Sequence, residues 1–506
     1  ADGGEAGAVE AADEAAGGAR EELAGKVPAW VLEEEVDMGK VAAASLLAAD
    51  YAADSGSGSS AHAPPQQDGV AVTYGDSSRG RWDYTIGLVG KPSAGKSTFF
   101  NAGTDPRNEQ AAARVAAFPF TTITPNTGTG YFATPCPCTR VGIPAVRCQA
   151  AGGHVAPLPA TGAECAHSTV AAPGFSEALP AGSISWRHAK ITLKDVAGLV
   201  PGAYQGRGRG NAFLNDLCGA DVLMHIVDVS GSTDSEGCAT AAGEGSDPAD
   251  EICWLRHELH CWVFSNLRQK WATVLRRPER LPSLLSGYHA SKGMLEAVLS
   301  KCGVDARRPE SLASVKHWDE AQVHSLVAHF LRTRFPILLV LNKADVGGAE
   351  ARVAAVRASH SREPSVAVSA ESEAWLCRAR AKAQVQYVSG APTCRLLCQD
   401  QAVVARLRQI EANVLHKFGS TGVQAALSAA VSLRPPALAF PVASLDSCAA
   451  LPVRSRSSKR CRTRCGAQTF CWSSNMSDHQ HRSTNPQCEA SFIFEVLEHR
   501  RPLPSR

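Results

Sequence analysis

The sequence predicts an α/β fold with a mainly parallel sheet and an inserted α-helical lobe. Three observations lead to this prediction. Short apolar runs end at polar or glycine residues, one of them passes directly into a glycine-rich loop, and a long amphipathic pattern separates the third run from the fourth. With 506 residues and 44% hydrophobic content, the chain is long enough for about three domains with at least one sizeable core.

Five short apolar runs are the predicted strands of the sheet. The first run is rich in β-forming residues and shows little alternation, which is typical of a parallel strand buried on both faces, and the others are short apolar runs that end at polar or glycine residues. The runs are 84–89, 190–195, 222–229, 335–341 and 365–368.

The segment 247–334 is the predicted helical lobe. Asp247 and Pro248 form a suitable N-cap and first-turn pair, and apolar residues then recur at helical spacing. This lobe is either a partner-binding arm or a packed unit whose apolar stripe is internal, and the spacing favours packing. The stripe consists of Ile252, Leu255, Leu259, Val263, Leu267 and Trp271.

Residues 1–80 read as a disordered, low-complexity N-terminal extension. They are dominated by Ala, Gly, Glu and Ser, and 1–54 carries thirteen acidic against three basic side chains. For residues 30–36, a transient amphipathic turn is favoured over a docked segment.

Composition also restricts the compartment. The net charge is only +2, and the 17 cysteines are scattered through a long chain, which favours cytosolic free thiols or a metal site over disulfides. No apolar run approaches the roughly 18 residues that a membrane helix needs, and no signal core or presequence is visible. We therefore expect a soluble, cytoplasmic protein without membrane contact.

Residues 90–97 fit the pattern GxxxxGK[ST] and lie between a predicted strand and a predicted helix, which indicates a P-loop NTPase fold. Glycines let backbone N–H groups surround phosphates, Lys96 supplies a catalytic cation, and the Ser97 hydroxyl is a hard ligand for Mg²⁺. The predicted nucleotide-binding residues here are Gly90, Pro92, Ser93, Ala94, Gly95, Lys96, Ser97 and Thr98.

A DxxG sequence ends the second predicted strand. Asp195 is placed to hold Mg²⁺ through water, and the N–H of Gly198 is placed to sense the γ-phosphate, which makes Gly198 a catalytic candidate. An isolated DxxG would be an ordinary turn, but its order along the chain favours a nucleotide switch.

An NKxD sequence follows the fourth predicted strand and supplies Asn342, Lys343 and Asp345. The Asp345 carboxylate can accept hydrogen bonds from N1–H and the exocyclic amine of guanine, whereas adenine leaves it unpaired. Ser369 and Ala370 end the next strand, where a backbone N–H can contact the guanine carbonyl. The predicted ligands are therefore GTP and Mg²⁺.

Four blocks of the sequence resemble the Obg-like GTPases of the TRAFAC class, specifically the YchF-related branch of archaea and eukaryotes. The resemblance covers roughly 84–442. It implies an OBG-type G domain with a C-terminal extension at 84–246 and 335–442, and a translation-linked GTPase whose partner is the ribosome or rRNA. The blocks are 87–101, 118–126, 195–214 and 418–424.

The same resemblance implies that Thr121 and Thr122 form the first switch. Thr122 is the preferred Mg²⁺ ligand in the triphosphate state and a catalytic candidate, with Thr121 as the alternative.

Leu199 directly follows the DxxG glycine, where Ras-like GTPases carry a glutamine that orients the attacking water. Leucine cannot orient water, so we expect slow intrinsic turnover. Arg207 or Arg209 is either a charge-stabilising finger or, as favoured, a solvated loop residue. Ser93 stands where potassium-using relatives carry asparagine, which argues against potassium activation.

Four cysteines between the two switches are candidates for a zinc site. The alternative is a loop of free thiols, which is favoured because a CxC pair followed by wide spacings is not the usual CxxC arrangement. The candidates are Cys136, Cys138, Cys148 and Cys165.

The resemblance also implies a small TGS domain after residue 442, but 443–506 reads as a basic, irregular tail with ten basic and five acidic side chains. One explanation is an RNA-binding arm with Phe470 and Trp472 as stacking residues. The favoured one is non-homologous sequence that replaced the domain.

Together these features predict a GTP-binding, GTP-hydrolysing regulatory switch linked to ribosomes. Two alternatives stay open: an ATP-hydrolysing Obg-like ATPase, against which the intact Asp345 argues, and a nucleotide-binding scaffold with negligible turnover, which Leu199 allows.

Overall fold

The computed structural model describes most of the chain from residue 84 to residue 442 and shorter stretches on either side. The described residues are 27–33, 36–53, 84–104, 125–135, 138, 155–157, 168–170, 186–196, 198–199, 202–205, 215–241, 244–442, 470–472, 481–482 and 491–496.

Eight of the described strands form one sheet, in the order β4-β3-β5-β1-β6-β7-β8, with β2 paired to β5. The strands are β1 (Thr85–Val89), β2 (Asn126–Pro135), β3 (Val155–Pro157), β4 (Ser168–Val170), β5 (Trp186–Asp195), β6 (Val222–Asp228), β7 (Ile337–Asn342) and β8 (Ser365–Val368).

The five predicted strands form the parallel part of this sheet. Strands β5, β1, β6, β7 and β8 are parallel neighbours, while β2 and β3 pair antiparallel with β5. The predicted α/β fold is therefore confirmed. Because the strands run in the same direction, the phosphate loop, DxxG and NKxD sequences all follow strand ends at one edge of the sheet.

Some of the described helices cover the two faces of the sheet, and others form the inserted lobe. They are α1 (Met38–Ala53), α2 (Lys96–Thr104), α3 (Pro248–Arg276), α4 (Leu281–Ser286), α5 (Lys292–Lys301), α6 (Pro309–Ala313), α7 (Glu320–Arg334), α8 (Ala349–Ser359), α9 (Ala370–Ala381), α10 (Gln401–Ile410), α11 (His416–Phe418) and α12 (Val423–Leu433).

The core lies on both faces of the sheet. Leu338 and Val340 pack in one apolar cluster with residues of α2 and α12, whereas Leu339 and Leu341 pack in another with residues of α8 and the first turns of α3. Since successive side chains of a strand point to opposite faces, this alternation places the two clusters on opposite sides. Burial on both faces explains why β1, β6 and β7 are almost continuously apolar.

The chain divides into two compact units. One contains residues 74–255 and 335–506, and the other combines residues 256–334 with the N-terminal part of the chain. In the first unit, Asp247 caps α3, because its Oδ1 accepts a hydrogen bond from the Ala249 N–H at 2.8 Å. The helix begins at Pro248, as the sequence predicts.

The N-terminal extension is not disordered throughout, so that prediction is wrong for residues 27–33 and 36–53. Trp30 is buried, with ring centroids 5.9 Å from Phe264 and 5.5 Å from Trp271. Helix α1 packs against α7, and Lys40 pairs with the carboxylate of Glu320. The buried indole explains the order, because one large aromatic side chain removes enough apolar surface from water to anchor a short segment.

Replacing Trp30 with alanine should destabilise the second unit by about 3–5 kcal/mol, the usual cost of truncating a buried tryptophan. Hydrogen exchange of the backbone amides of α3 and α7 measures this effect, and faster exchange is the expected result. Glu33→Ala is the control, because Glu33 is exposed. Unchanged exchange in the Trp30→Ala protein would show that the segment does not hold the helices.

The tail was predicted to be irregular, but the structure places three short strands within 443–506. Strand β11 (Ala437–Val442) pairs antiparallel with β12 (Phe470–Trp472) and β14 (Ser491–Val496), and β13 (His481–Arg482) pairs with β14. A second small sheet joins β9 (Val385–Gln386) to β10 (Arg395–Leu396). The tail predicted to be irregular therefore contains paired strands in the structure, of which β12 and β14 pair with the more distant β11, whereas β13 and β14 are close in sequence.

Within the described part of the chain, no helix is both long and apolar enough to span a membrane.

Candidate functional site

The phosphate loop connects β1 to α2 and requires backbone conformations that favour glycine. Gly90 and Gly95 have φ of 146° and 95°, and Ser93 also lies in the left-handed region with φ of 59°. A Cβ on Gly90 would lie 2.3 Å from the Ile226 carbonyl oxygen, and one on Gly95 would lie 2.3 Å from the Asn342 Nδ2. Alanine therefore cannot replace either glycine without displacing the loop.

Lys96 lies at the first turn of α2, and its side chain folds back over the loop. Its Nζ donates to the carbonyl oxygens of Gly90 at 3.1 Å and Lys91 at 2.7 Å. Burial lowers the pKa of Lys96 to about 8, although the charges of Asp195 and Glu251 oppose this shift. A buried cation at the mouth of this loop is suited to bind phosphate oxygens.

Asp195 ends β5 beside the start of α2. Its Oδ2 accepts hydrogen bonds from Ser97 Oγ at 2.7 Å and Asn126 Nδ2 at 3.4 Å. Its Oδ1 is buried with no hydrogen-bond partner among the described residues, and burial raises the pKa of Asp195 against the effect of Ser97 and Lys96. A buried, incompletely bonded carboxylate next to a hydroxyl fits Mg²⁺, which prefers hard oxygen ligands.

The DxxG sequence lies directly against the phosphate loop. The Leu199 N–H donates to the Gly90 carbonyl at 3.1 Å, and a Cβ on Gly198 would lie 2.9 Å from the Pro92 Cα. Only glycine allows this approach. The Leu199 side chain is buried, 2% exposed, so it belongs to the core and not to the surface that solvent reaches.

Asn342 connects the phosphate loop to the loop that follows β8. Its Nδ2 donates to the Ala94 carbonyl at 2.9 Å, and its Oδ1 accepts from the Ala370 N–H at 3.1 Å. Both bonds are buried. The asparagine therefore braces the phosphate loop, its own loop and the loop after β8, and its contact with the nucleotide stays a prediction.

The remaining NKxD side chains are also fixed by neighbours. Lys343 has φ of 63°, and its Nζ donates to Asp228 Oδ2 at 2.6 Å. Asp345 is half-buried, and its Oδ1 accepts a hydrogen bond from Ser369 Oγ at 2.8 Å. One carboxylate oxygen of Asp345 is thus oriented by a second loop, which presets the group for hydrogen bonds with a planar base.

A model described as Obg-like GTPase YGR210-like, G4 motif-containing domain, matches residues 340–444, and one described as 50S ribosome-binding GTPase matches residues 85–146. The chain is also 34% identical over 387 residues to an uncharacterised GTP-binding protein of Schizosaccharomyces pombe, covering 73% of this chain and 84% of that protein. The chain belongs to the Obg-like GTPase family.

Further relatives of this Obg-like GTPase come from archaea and bacteria. A GTP-binding protein of Methanocaldococcus jannaschii is 32% identical over 68% of this chain and 78% of its own length. The ribosome-binding ATPase YchF of Bacillus subtilis is 28% identical over 52% of this chain and 57% of its own length. A GTP-binding protein from Pyrococcus horikoshii OT3 aligns structurally with 23% identity and a TM-score of 0.45, covering 71% of this chain and 80% of that one.

The structure brings most of the predicted site residues of this Obg-like GTPase together at one sheet edge, but several predictions fall outside the described residues. These include the first-switch threonines, the two loop arginines and three of the four candidate zinc ligands. Cys138 is described, is buried and forms no disulfide, and no group of three potential metal ligands is found in the described part of the chain. The predictions outside the described residues concern Thr121, Thr122, Arg207, Arg209, Cys136, Cys148 and Cys165.

Sequence reasoning missed several polar residues that hold this site. Asp228 accepts hydrogen bonds from Ser230 and Thr233 as well as from Lys343. Burial favours its neutral form, but the Lys343 charge and the hydroxyl donors outweigh that effect and lower the pKa of Asp228. Its position at the end of a strand was a usable signal. Lys91, Glu251 and Asn126 carried no comparable signal, because their partners are distant in sequence.

Proposed function

We propose that this Obg-like GTPase is a regulatory switch that binds and slowly hydrolyses GTP. The observation that supports this most is the bracing by Asn342, which joins the phosphate loop at Ala94 to the base-recognition loop at Ala370. A nucleotide that contacts both loops is then held at its phosphates and its base by one connected frame. The proposed G domain comprises 84–246 and 335–442.

In this proposal the protein contributes positioning and electrostatic stabilisation. Lys96 places positive charge at the β- and γ-phosphate oxygens, and the N–H of Gly198 contacts the γ-phosphate. Ser97, Asp195 and Thr122 would hold Mg²⁺, which neutralises phosphate charge when bound. Asp345 accepts hydrogen bonds from guanine, with Ser369 and Ala370 alongside it.

A slow rate follows from Leu199. Its side chain is buried and apolar, so the residue after the DxxG glycine cannot orient an attacking water. The same observation favours a second candidate function, a guanine-nucleotide-binding scaffold with negligible turnover. Single-turnover kinetics separate the two.

We also propose a ribosomal or rRNA partner and a cytoplasmic location. The support is the naming of similar proteins, because the YchF relative is called a ribosome-binding ATPase and one matching family model is called a ribosome-binding GTPase. The names of some relatives, such as Obg-like ATPase 1 of Rattus norvegicus at 26% identity, make ATP the necessary comparison substrate.

Phosphate release under single-turnover conditions tests this proposal. With Mg²⁺ and excess protein, we expect GTP to be hydrolysed at about 10⁻³ s⁻¹ or more slowly, ATP to stay at background, and chelation of Mg²⁺ to abolish the reaction. Hydrolysis of ATP as fast as GTP would contradict a GTP-specific enzyme and favour the ATPase alternative. Tight GTP binding without phosphate release would favour the nucleotide-binding scaffold.

A further inference from the structure

Lys91, the second residue of the phosphate loop, has a fully buried ammonium group. Its side chain is 1% exposed, although lysine is rarely buried unless it is paired. Nζ donates to the Thr233 carbonyl at 3.1 Å and to Ser246 Oγ at 2.7 Å. The group also lies 3.5 Å from Glu251 Oε2, within ion-pair distance, and neither carboxylate oxygen of Glu251 has a hydrogen-bond partner among the described residues.

Glu251 comes from the first turn of α3 and is equally buried, with a side chain that is 1% exposed. Its Oε1 lies 3.9 Å from His225 Nε2, and His225 pairs with Val89 at the end of β1. Burial raises the pKa of Glu251 to about 7, although the charge of Lys91 opposes this shift. The carboxylate therefore lies between the phosphate loop and the strand next to it.

The connection between β6 and α3, of which residues 229–241 and 244–247 are described, packs against the same loop; we call these residues the β6–α3 connection. Gly237 has φ of 85°, and a Cβ on it would lie 2.6 Å from the Pro92 Cβ and 2.7 Å from the Pro92 carbonyl oxygen. Its Thr233 hydroxyl donates to Asp228 at 2.7 Å. The β6–α3 connection thus contacts the phosphate loop at Lys91 and at Pro92.

We propose that Lys91 and Glu251 are a positioning pair that fixes the phosphate loop in its nucleotide-binding conformation by anchoring it to the β6–α3 connection and to α3. The inference rests on the proposed nucleotide site. The backbone carbonyl of Lys91 accepts a hydrogen bond from Lys96 Nζ, while its side chain reaches Thr233, Ser246 and Glu251.

The energetics of a buried ion pair indicate that Lys91 and Glu251 position the loop and do not mainly stabilise the fold. Placing two charges in the interior costs desolvation that their attraction often fails to recover, so an apolar pair of similar volume would stabilise the fold as well or better. Breaking the pair is different, because removing one partner leaves an uncompensated buried charge. The loop would then shift to bring that charge to water, and the shift would displace the N–H groups that bind the β-phosphate.

A double-mutant cycle on GDP affinity tests this inference. Lys91→Met and Glu251→Gln should each weaken GDP binding by about 10- to 100-fold through faster dissociation, because Lys91→Met leaves the buried Glu251 carboxyl without its partner and Glu251→Gln leaves the Lys91 ammonium without a counter-charge. The combined Lys91→Met/Glu251→Gln protein should recover to within about threefold of wild type, since no buried charge is left over. Single variants that bind like wild type, or a double variant as weak as the singles, would overturn the proposal.

Arg434→Met is the matched control. Arg434 is also a buried cation of the same unit, and its Nη1 donates to the Asp221 carbonyl at 3.1 Å, at the opposite end of β1 from the phosphate loop. Losing it should lower stability and leave GDP affinity unchanged. If it weakens GDP binding as much as the Lys91 and Glu251 variants, the effect is general destabilisation and the positioning role is wrong.

Two further results bear on the proposal: single variants that do not fold, and wild-type protein that does not bind GDP. If the single variants do not fold, Glu251→Asp keeps the charge but shortens the side chain, and we expect at least a threefold loss of GDP affinity, with no loss overturning the proposal. If wild-type protein itself fails to bind GDP, the proposed nucleotide site is wrong and this inference falls with it.

Discussion

Asp345→Ala should erase the preference for GTP over ATP, a change of about 10³-fold in relative affinity. The carboxylate is expected to accept two hydrogen bonds from guanine, and bonds to a charged group contribute roughly 1.5–3 kcal/mol each. Ser369 Oγ, 2.8 Å from Asp345 Oδ1, already orients the carboxylate. Competition of GTP and ATP against a fluorescent guanine nucleotide measures the effect.

Asp345→Asn is the sharper variant for the same test. An amide can donate to the C2 carbonyl of xanthine, whereas it cannot accept both guanine donors. The Asp345→Asn protein should therefore lose GTP affinity and gain XTP affinity, while Asp345→Ala gains nothing. A variant that still discriminates GTP from ATP would show that guanine is recognised elsewhere.

The sheet and its site residues could be predicted because each motif follows a strand of the same kind. The residues at 84–89 and 335–341 form continuous apolar runs, and a loop with a defined chemical pattern comes directly after each. Parallel strands bring such loops to one edge, so sequence order alone was enough to place Lys96, Asp195 and Asp345 together.

The supporting contacts could not be predicted because they join residues far apart in sequence. Lys91 occupies a variable position of the phosphate-loop pattern and Glu251 lies five strands further along the chain, so no local pattern links the two. Asn342 was recognised as part of a motif, but its bonds to Ala94 and Ala370 appear only once β1, β7 and β8 are placed in the sheet. Local sequence patterns therefore identify the motif residues, but they do not reveal the distant residues that hold those motifs in place.

The N-terminal segment shows a different reason for failure. Composition averaged over 1–80 predicts disorder, and the average hides a single large apolar anchor. Trp30 packs near Phe264 and Trp271, which are more than 200 positions away. A tryptophan in an otherwise small and acidic stretch indicates a docked segment, because its large apolar ring gains from burial.

Lys96→Met should lower the single-turnover rate of GTP hydrolysis by about 10³-fold, at the upper end of what one preorganised donor to the transition state contributes. Methionine preserves most of the volume and removes the charge, so the helix α2 should be kept. Lys96→Arg keeps the charge but changes the shape of the side chain, so its hydrolysis rate should lie between those of wild type and Lys96→Met. Rates measured with saturating GTP and Mg²⁺ separate this loss from weaker binding.

The pH dependence of nucleotide affinity gives the Lys96 prediction a second, independent readout. Because burial lowers the pKa of Lys96 to about 8 in the free protein, the ammonium is present below that pH and is lost progressively above it. Bound phosphates favour the charged form, so binding above pH 8 requires proton uptake and wild-type affinity should fall. The difference in nucleotide affinity between wild type and Lys96→Met should therefore become smaller from pH 7 to pH 9.

Lys417→Met is the control for both Lys96 predictions. Lys417 is exposed and pairs with Glu350 at 3.0 Å, so its removal should change neither the hydrolysis rate nor the pH dependence of nucleotide affinity. A gap that stays constant with pH would mean that Lys96 does not carry the charge that nucleotide binding uses.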